Sequence, residues 1–97
     1  MARYVGLFNW TDQGVRNDKQ TTARGEAFAS LLKSLGAQLI DLHWTLGPYD
    51  IVAVMEAPDD ETMTAAMLKL GEGGNVRSTT MRAFTSEEVD KIIAKVS

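Results

Sequence analysis

The sequence predicts an α+β fold of the ferredoxin-like, split-βαβ kind. A four-stranded antiparallel sheet in the order 4-1-3-2 carries helices on one face, and a further helix is added at the C-terminus. Three observations predict it. Side chains alternate at period two in three segments, a fourth is a short continuous apolar run, and apolar residues recur at helical spacing in three others. The segments follow one another as β-α-β-β-α-β before the last helix. Only the first and third strand segments are apolar on both faces, as the two central strands of that topology must be. A single domain over residues 1–97 accommodates these elements, because 97 residues, 44% of them hydrophobic, suffice for one core and not for two.

Tyr4 to Trp10 reads as the first strand, with Tyr4, Gly6, Phe8 and Trp10 on one face and Val5 and Leu7 on the other. Thr11 to Lys19 is polar and contains Gly14, which predicts a loop with room for a helical turn. Ala27, Phe28, Leu31, Leu32 and Leu35 then fall at helical spacing, with Thr21 or Thr22 as the N-cap and Gly36 just past the end. Ala37 to Leu46 is the second strand: Leu39 is set against Ile40, then Leu42, Trp44 and Leu46 share one face and Asp41, His43 and Thr45 the other. Gly47-Pro48-Tyr49-Asp50 follows as a turn in which proline presets φ, so the second and third strands form a hairpin.

Ile51 to Ala57 is the third strand. Pro58-Asp59-Asp60-Glu61 supplies a breaker, a cap and acidic first-turn residues; Met63, Ala66, Met67 and Leu70 mark the buried stripe of the next helix, and Gly71, Gly73 and Gly74 end it. Val76 to Phe84 returns to alternation as the fourth strand. Thr85 and Glu88 form a capping box for a short final helix whose apolar face is Val89, Ile92, Ile93 and Val96. Two helices cover one sheet face only, which leaves Tyr4, Phe8 and Trp10 or their neighbours uncovered. A second copy stacked there, as in a dimeric α/β barrel, would bury them, so a homodimer is expected.

Composition removes several functions. Ten Lys and Arg against thirteen Asp and Glu give a formal charge of −3, which argues against nucleic acid, since phosphate binding draws on concentrated positive charge. No cysteine is present, so disulfides, Cys-ligated zinc, Fe–S centres and thiol nucleophiles are excluded. No apolar stretch approaches the roughly 20 residues of a membrane span, and Met1-Ala2-Arg3-Tyr4 leads into a strand pattern instead of a signal peptide. A cytoplasmic protein with no membrane partner is expected. Gly71-Glu72-Gly73-Gly74 follows a helix and precedes a strand, the reverse of a phosphate loop. Ile51 to Met55 lacks the aromatic and basic residues with which an RNA-recognition sheet stacks bases.

Several short motifs converge on a known pattern. Trp10-Thr11-Asp12-Gln13-Gly14, Arg24, Gly47-Pro48-Tyr49-Asp50, Ala57-Pro58-Asp59, Gly74-Asn75-Val76-Arg77, Thr80 and Arg82-Ala83-Phe84 together resemble the GYD domain family over nearly the whole chain. The family's name-giving residues correspond to Gly47, Tyr49 and Asp50, with Pro48 between the first two. The resemblance implies a ferredoxin-like, dimeric α/β-barrel fold of small cytoplasmic bacterial or archaeal proteins. It brings no assigned biochemical activity with it.

Few residues are equipped for chemistry. His43, the single histidine, could act as a general acid or base or as a ligand, but one histidine without cysteine makes no ordinary zinc site. Tyr49 could donate a hydrogen bond and Asp50 could serve as a base or as an anchor for Arg77 or Arg82; the turn itself also accounts for both. Arg77 and Arg82 could bind a carboxylate or phosphate or pair with acids across the sheet. Arg24 could face the Asp12-Gln13 loop as part of a salt bridge or of an anion site. The Trp10 to Gly14 loop is the lid candidate, with Gly14 as its hinge, and Trp10 and Trp44 could line a pocket with Tyr4 and Phe8.

The expected function is that of a small-ligand-binding or sensor domain, taking a small apolar ligand with Trp10, His43, Tyr49 and Arg77 as binding residues. An oxygenase- or isomerase-like enzyme of the dimeric α/β-barrel class, with His43, Tyr49 and Asp50 as candidate catalytic residues, is the alternative. A structural or assembly module is the third reading. No cofactor and no metal site are expected, because paired carboxylates, a nucleophile beside a base and a complete ligand set are all missing.

Overall fold

Alternating aromatic and β-branched side chains hold β1 (Ala2–Trp10) extended, and its even positions reach a core that the helices close. In the computed structural model, which describes residues 1–96, the elements that follow are α1 (Asp12–Arg16), a 3-10 turn (Asp18–Gln20), α2 (Thr21–Ser34), β2 (Gln38–Trp44), β3 (Ile51–Ala57), α3 (Asp60–Glu72), β4 (Val76–Ala83) and α4 (Ser86–Ala94). The strands form one sheet in the order β2-β3-β1-β4, with every neighbouring pair antiparallel. This is the ferredoxin-like order read from the sequence.

Helices α2 and α3 cover the face that carries Tyr4, Phe8, Ala53, Met55 and Ala57, and they contribute Phe28, Leu32, Met63 and Ala66 to the same buried cluster. Phe8 meets Phe28 edge to face, with ring centroids 5.9 Å apart at 71°, the geometry that the aromatic quadrupole favours. Gly6 is required on this face of the strand because a Cβ there would stand 2.7 Å from the Phe8 ring and 2.9 Å from Met55 Cε.

Two segments depart from the sequence reading. Thr11 to Lys19 is helical for most of its length, because the Thr11 hydroxyl caps α1 by accepting the Gly14 N–H at 3.1 Å and Asp12 favours the first turn. Helix α2 has no threonine cap; its N-cap is Gln20, and the chain enters it directly from the 3-10 turn with Thr21 already helical.

Strand β2 contains a bulge that explains its mixed phase. Leu39 pairs with Met55 and Asp41 with Val54, so Ile40 is the extra residue. The insertion lets odd-numbered Leu39 and even-numbered Leu42 and Trp44 face the helices together, and it turns Asp41 and His43 outward. The helix-free face is built from Val5 beside Val54 and Met81, and from Leu7 beside Val52 and Thr79. Tyr4 and Phe8 are therefore covered, and it is their neighbours that remain open.

The α4 helix is well formed but unpacked. Thr85 and Glu88 make the expected capping box, yet the helix buries none of its residues. Val89, Ile92, Ile93 and Val96 stand 38, 41, 58 and 81% exposed. The radius of gyration is 14.5 Å, against about 12.5 Å for a compact chain of this length.

Candidate functional site

A cleft of about 240 Å³ opens on the helix side of the sheet, between α2, the end of α3 and the strands beneath. Its walls are Phe8, Phe28, Leu31, Leu42, Trp44 and Ile51, with Leu70 and Val76 toward α3. The bulge aims Leu42 and Trp44 into this space, and Gly25 of α2 makes room for them: a Cβ at Gly25 would lie 3.0 Å from Leu42 Cδ2 and 3.4 Å from the Trp44 ring. The Trp44 indole N–H donates to the Thr21 hydroxyl at 2.9 Å. Its polar atom is thus satisfied within the wall, and carbon is what lines the cavity.

Arg24, Lys69 and Asn75 are the cationic and amide residues among those bordering the cleft. Arg24 donates to the carbonyls of Asn17 at 2.7 Å and Gly14 at 3.2 Å. Lys69 reaches Glu72 at 3.6 Å across exposed surface. The Trp10 to Gly14 segment expected to act as a lid is instead fastened beside the cleft. Thr11 donates from its hydroxyl to the Gly74 carbonyl at 2.5 Å and from its backbone to the Asn75 carbonyl at 3.0 Å, while Gln13 donates to the Gly73 carbonyl and to the Asn75 side chain. Gly14 is buried against the Asn75 carbonyl so closely that a Cβ would overlap it. Its role is close contact, and no hinge is needed to explain it.

The residues singled out in the sequence are spread over the molecule. Asp50 is the most engaged: its carboxylate accepts the Trp10 N–H at 2.9 Å, its own N–H donates to the Phe8 carbonyl at 2.9 Å and its carbonyl accepts the Thr45 N–H at 2.9 Å. The turn thereby locks onto the end of β1, and Trp10 and Asp50 are brought together as one structural unit. Tyr49 contributes its carbonyl, which accepts the Thr45 hydroxyl at 2.6 Å. His43 lies on the opposite sheet face from the cleft, 68% exposed in its side chain and 2.9 Å from Asp41. Arg77 borders a second cleft of about 400 Å³ with Thr11, Met67, Leu70 and Gly74. Phe8 and Trp44 line the first cleft, whereas Tyr4 is buried in the core.

Phe28, Leu31 and Ile51 read in the sequence as core alone. The signal that could have marked the cleft is Gly25, a glycine in a helix interior, which points to close approach by another element. Elsewhere, Arg82 stacks over the Tyr4 and Phe84 rings, 5.6 and 4.6 Å from their centroids, and pairs with Glu88 at 3.7 Å. The Thr85 backbone N–H, then the nearby arginine, hold the Glu88 carboxyl below the usual range. Arg3 does the same for Glu56 at 3.1 Å, helped by Gln38. Among the described residues no group of three or more His, Asp or Glu could hold a metal ion, and no helix is long and apolar enough to cross a membrane.

The fold defines a small ferredoxin-like α+β domain with an apolar cleft on the helix side of its sheet. The chain belongs to the GYD domain family, which matches residues 4–93. It is 33% identical over 85 residues to a Thermus thermophilus protein named glutamine synthetase and cystathionine beta-lyase binding protein, an alignment covering 87% of this chain and 90% of that one. It is also similar to a crystal structure of a Thermus thermophilus protein, with a TM-score of 0.65 and 25% identity over 89% of this chain and 96% of that one.

Proposed function

We propose that the chain is a binding domain that takes a small apolar ligand in the cleft between α2, the end of α3 and the sheet. The observation that carries this reading is the wall of Phe8, Phe28, Leu31, Leu42, Trp44 and Ile51, open to solvent at one end and with its indole N–H already satisfied. Such a surface favours ligand burial at about 25 cal/mol per Å² of apolar area. Titration with octanol, followed by tryptophan emission and by melting temperature, tests it. Saturable binding that disappears in Gly25→Leu, where the added side chain fills the space before Leu42 and Trp44, is the expected result; absence of binding in the parent protein refutes the reading.

The domain acts as a homodimer in this proposal. Val5, Leu7, Val52, Val54 and Met81 form an uncovered apolar sheet face, and stacking two such faces removes it from water as in a dimeric α/β barrel. His43 belongs to that face, Asp50 to the turn that fixes β1, and neither is given a catalytic role. For the enzyme alternative, neither His43 nor Asp50 borders the cleft, and among the described residues its charged lining is Arg24 and Lys69.

A second reading, enzyme docking, is favoured by the exposed stripe of α4 and by the name of the Thermus thermophilus relative. Co-elution of the purified chain with glutamine synthetase or cystathionine beta-lyase, lost in Ile93→Asp, is the outcome it requires. Independent elution of chain and enzymes overturns it.

A further inference from the structure

We propose that the cleft selects a monocarboxylate with an apolar body, its head group held by Arg24. This rests on the reading of the cleft as a ligand site and adds to it the charge and size of the ligand.

The charge follows from what lines the cleft. Although the chain as a whole is acidic, with a formal charge of −3, among the described residues no Asp or Glu lines the cleft, and its charged residues are Arg24 and Lys69. Arg24 is positioned without being neutralised. Its two terminal nitrogens donate to the carbonyls of Gly14 and Asn17, and among the described residues no carboxylate pairs with it. Five N–H donors are available on a guanidinium and carbonyl acceptors carry only partial charge, so the group keeps both donors and net charge for an incoming anion. Lys69, on α3 across the opening, adds a second positive charge; its exposed contact with Glu72 at 3.6 Å is weak. A neutral head group can make only an uncharged contact with Arg24, which is the weaker kind, and the Trp44 N–H is already occupied by Thr21.

The size follows from the volume. An apolar cavity of about 150 Å³ takes benzene, so about 240 Å³ accommodates about ten non-hydrogen atoms. Octanoate matches both features. Its carboxylate at Arg24 leaves the chain along Phe28, Leu42 and Trp44.

The test compares octanoate, octanol and octylammonium on the intact protein by calorimetry and tryptophan emission, at low and high salt. Octanoate binding about tenfold or more tighter than octanol, a preference that weakens with salt, is expected from a charge-assisted contact. In Arg24→Gln that preference falls to near parity while octanol binding persists. Arg24→Lys, which keeps the charge, retains part of the preference and serves if the glutamine variant does not fold. Equal binding of octanoate and octanol to the parent protein overturns the selectivity and leaves the apolar site standing. Octylammonium binding as tightly as octanoate overturns it in the same way. An undiminished preference in the folded Arg24 variants also overturns the proposal. Failure of both octanoate and octanol to bind refutes the site itself.

Discussion

The Tyr4 hydroxyl donates to Asp60 Oδ1 at 2.5 Å, which ties central strand β1 to the first turn of α3. Burial, then the hydrogen bond and the charge of Asp60, push the phenol up from 10.0 to about 12, while Arg82 over the ring opposes the rise. The raised value means that the folded state favours the protonated phenol. The stability it contributes is complete below about pH 10 and is lost as pH climbs through about 12. Tyr4→Phe is expected to lower the unfolding free energy by about 1–2 kcal/mol in urea at neutral pH with an unchanged m-value. It should also remove the alkaline tyrosinate transition that ultraviolet difference absorbance assigns to Tyr4.

Two helical glycines should respond in opposite directions. Gly14→Ala drives a methyl into the Asn75 carbonyl, so α1 must lift from the start of β4, and a loss of about 1–3 kcal/mol is expected. Gly71→Ala meets nothing within 4 Å and lies in the last turn of α3, where alanine should add about 0.5–1 kcal/mol. Chemical denaturation of the pair reads both values.

Val54 sits at the centre of the uncovered sheet face, between Val5 and the β2 edge. Val54→Lys should convert a dimer of the parent chain into a folded monomer by sedimentation, with the circular dichroism spectrum kept. A parent chain that sediments as a monomer at micromolar concentration removes the dimer from the proposal.

The cap of α3 gives the acid limb. Asp59 accepts from the Thr62 hydroxyl at 2.6 Å and from its N–H at 2.8 Å, and these bonds hold the carboxyl below its usual 3.8. A lowered carboxylate contributes stability above the ordinary aspartate range and loses it as pH falls through the folded value. Asp59→Asn keeps an acceptor at the cap but does not titrate, so its stability should decline less steeply below about pH 4 in acid denaturation followed by circular dichroism.

Strand order and helix placement were legible because alternation and helical spacing are local signals, clear in Tyr4 to Phe8 and in Met63 to Leu70. The Thr85 and Glu88 capping box was readable for the same reason. The helical turn at Asp12 was less so, since its decisive contacts, Gly14 against Asn75 and Thr11 with Gly74, join residues some sixty positions apart. The cleft was obscured differently. Phe28, Leu31 and Ile51 have the same pattern whether they meet a partner side chain or line a cavity, and only the gap beside Gly25 separates the two. His43 and Tyr49 attracted attention by chemical type, while the sheet turns His43 away from the cleft and the hairpin uses the Tyr49 carbonyl.

The extra residue in β2 also bears on how copies of the chain meet. β2 is an outer strand, and a flat outer strand is a template on which further strands can add. Ile40 breaks the regular ladder there, and the Asp41 carboxylate accepts the Leu42 N–H at 3.1 Å, so one edge donor is already taken. Edgewise growth into fibrils is thus discouraged along β2, and deleting Ile40 would restore a smooth edge prone to aggregation.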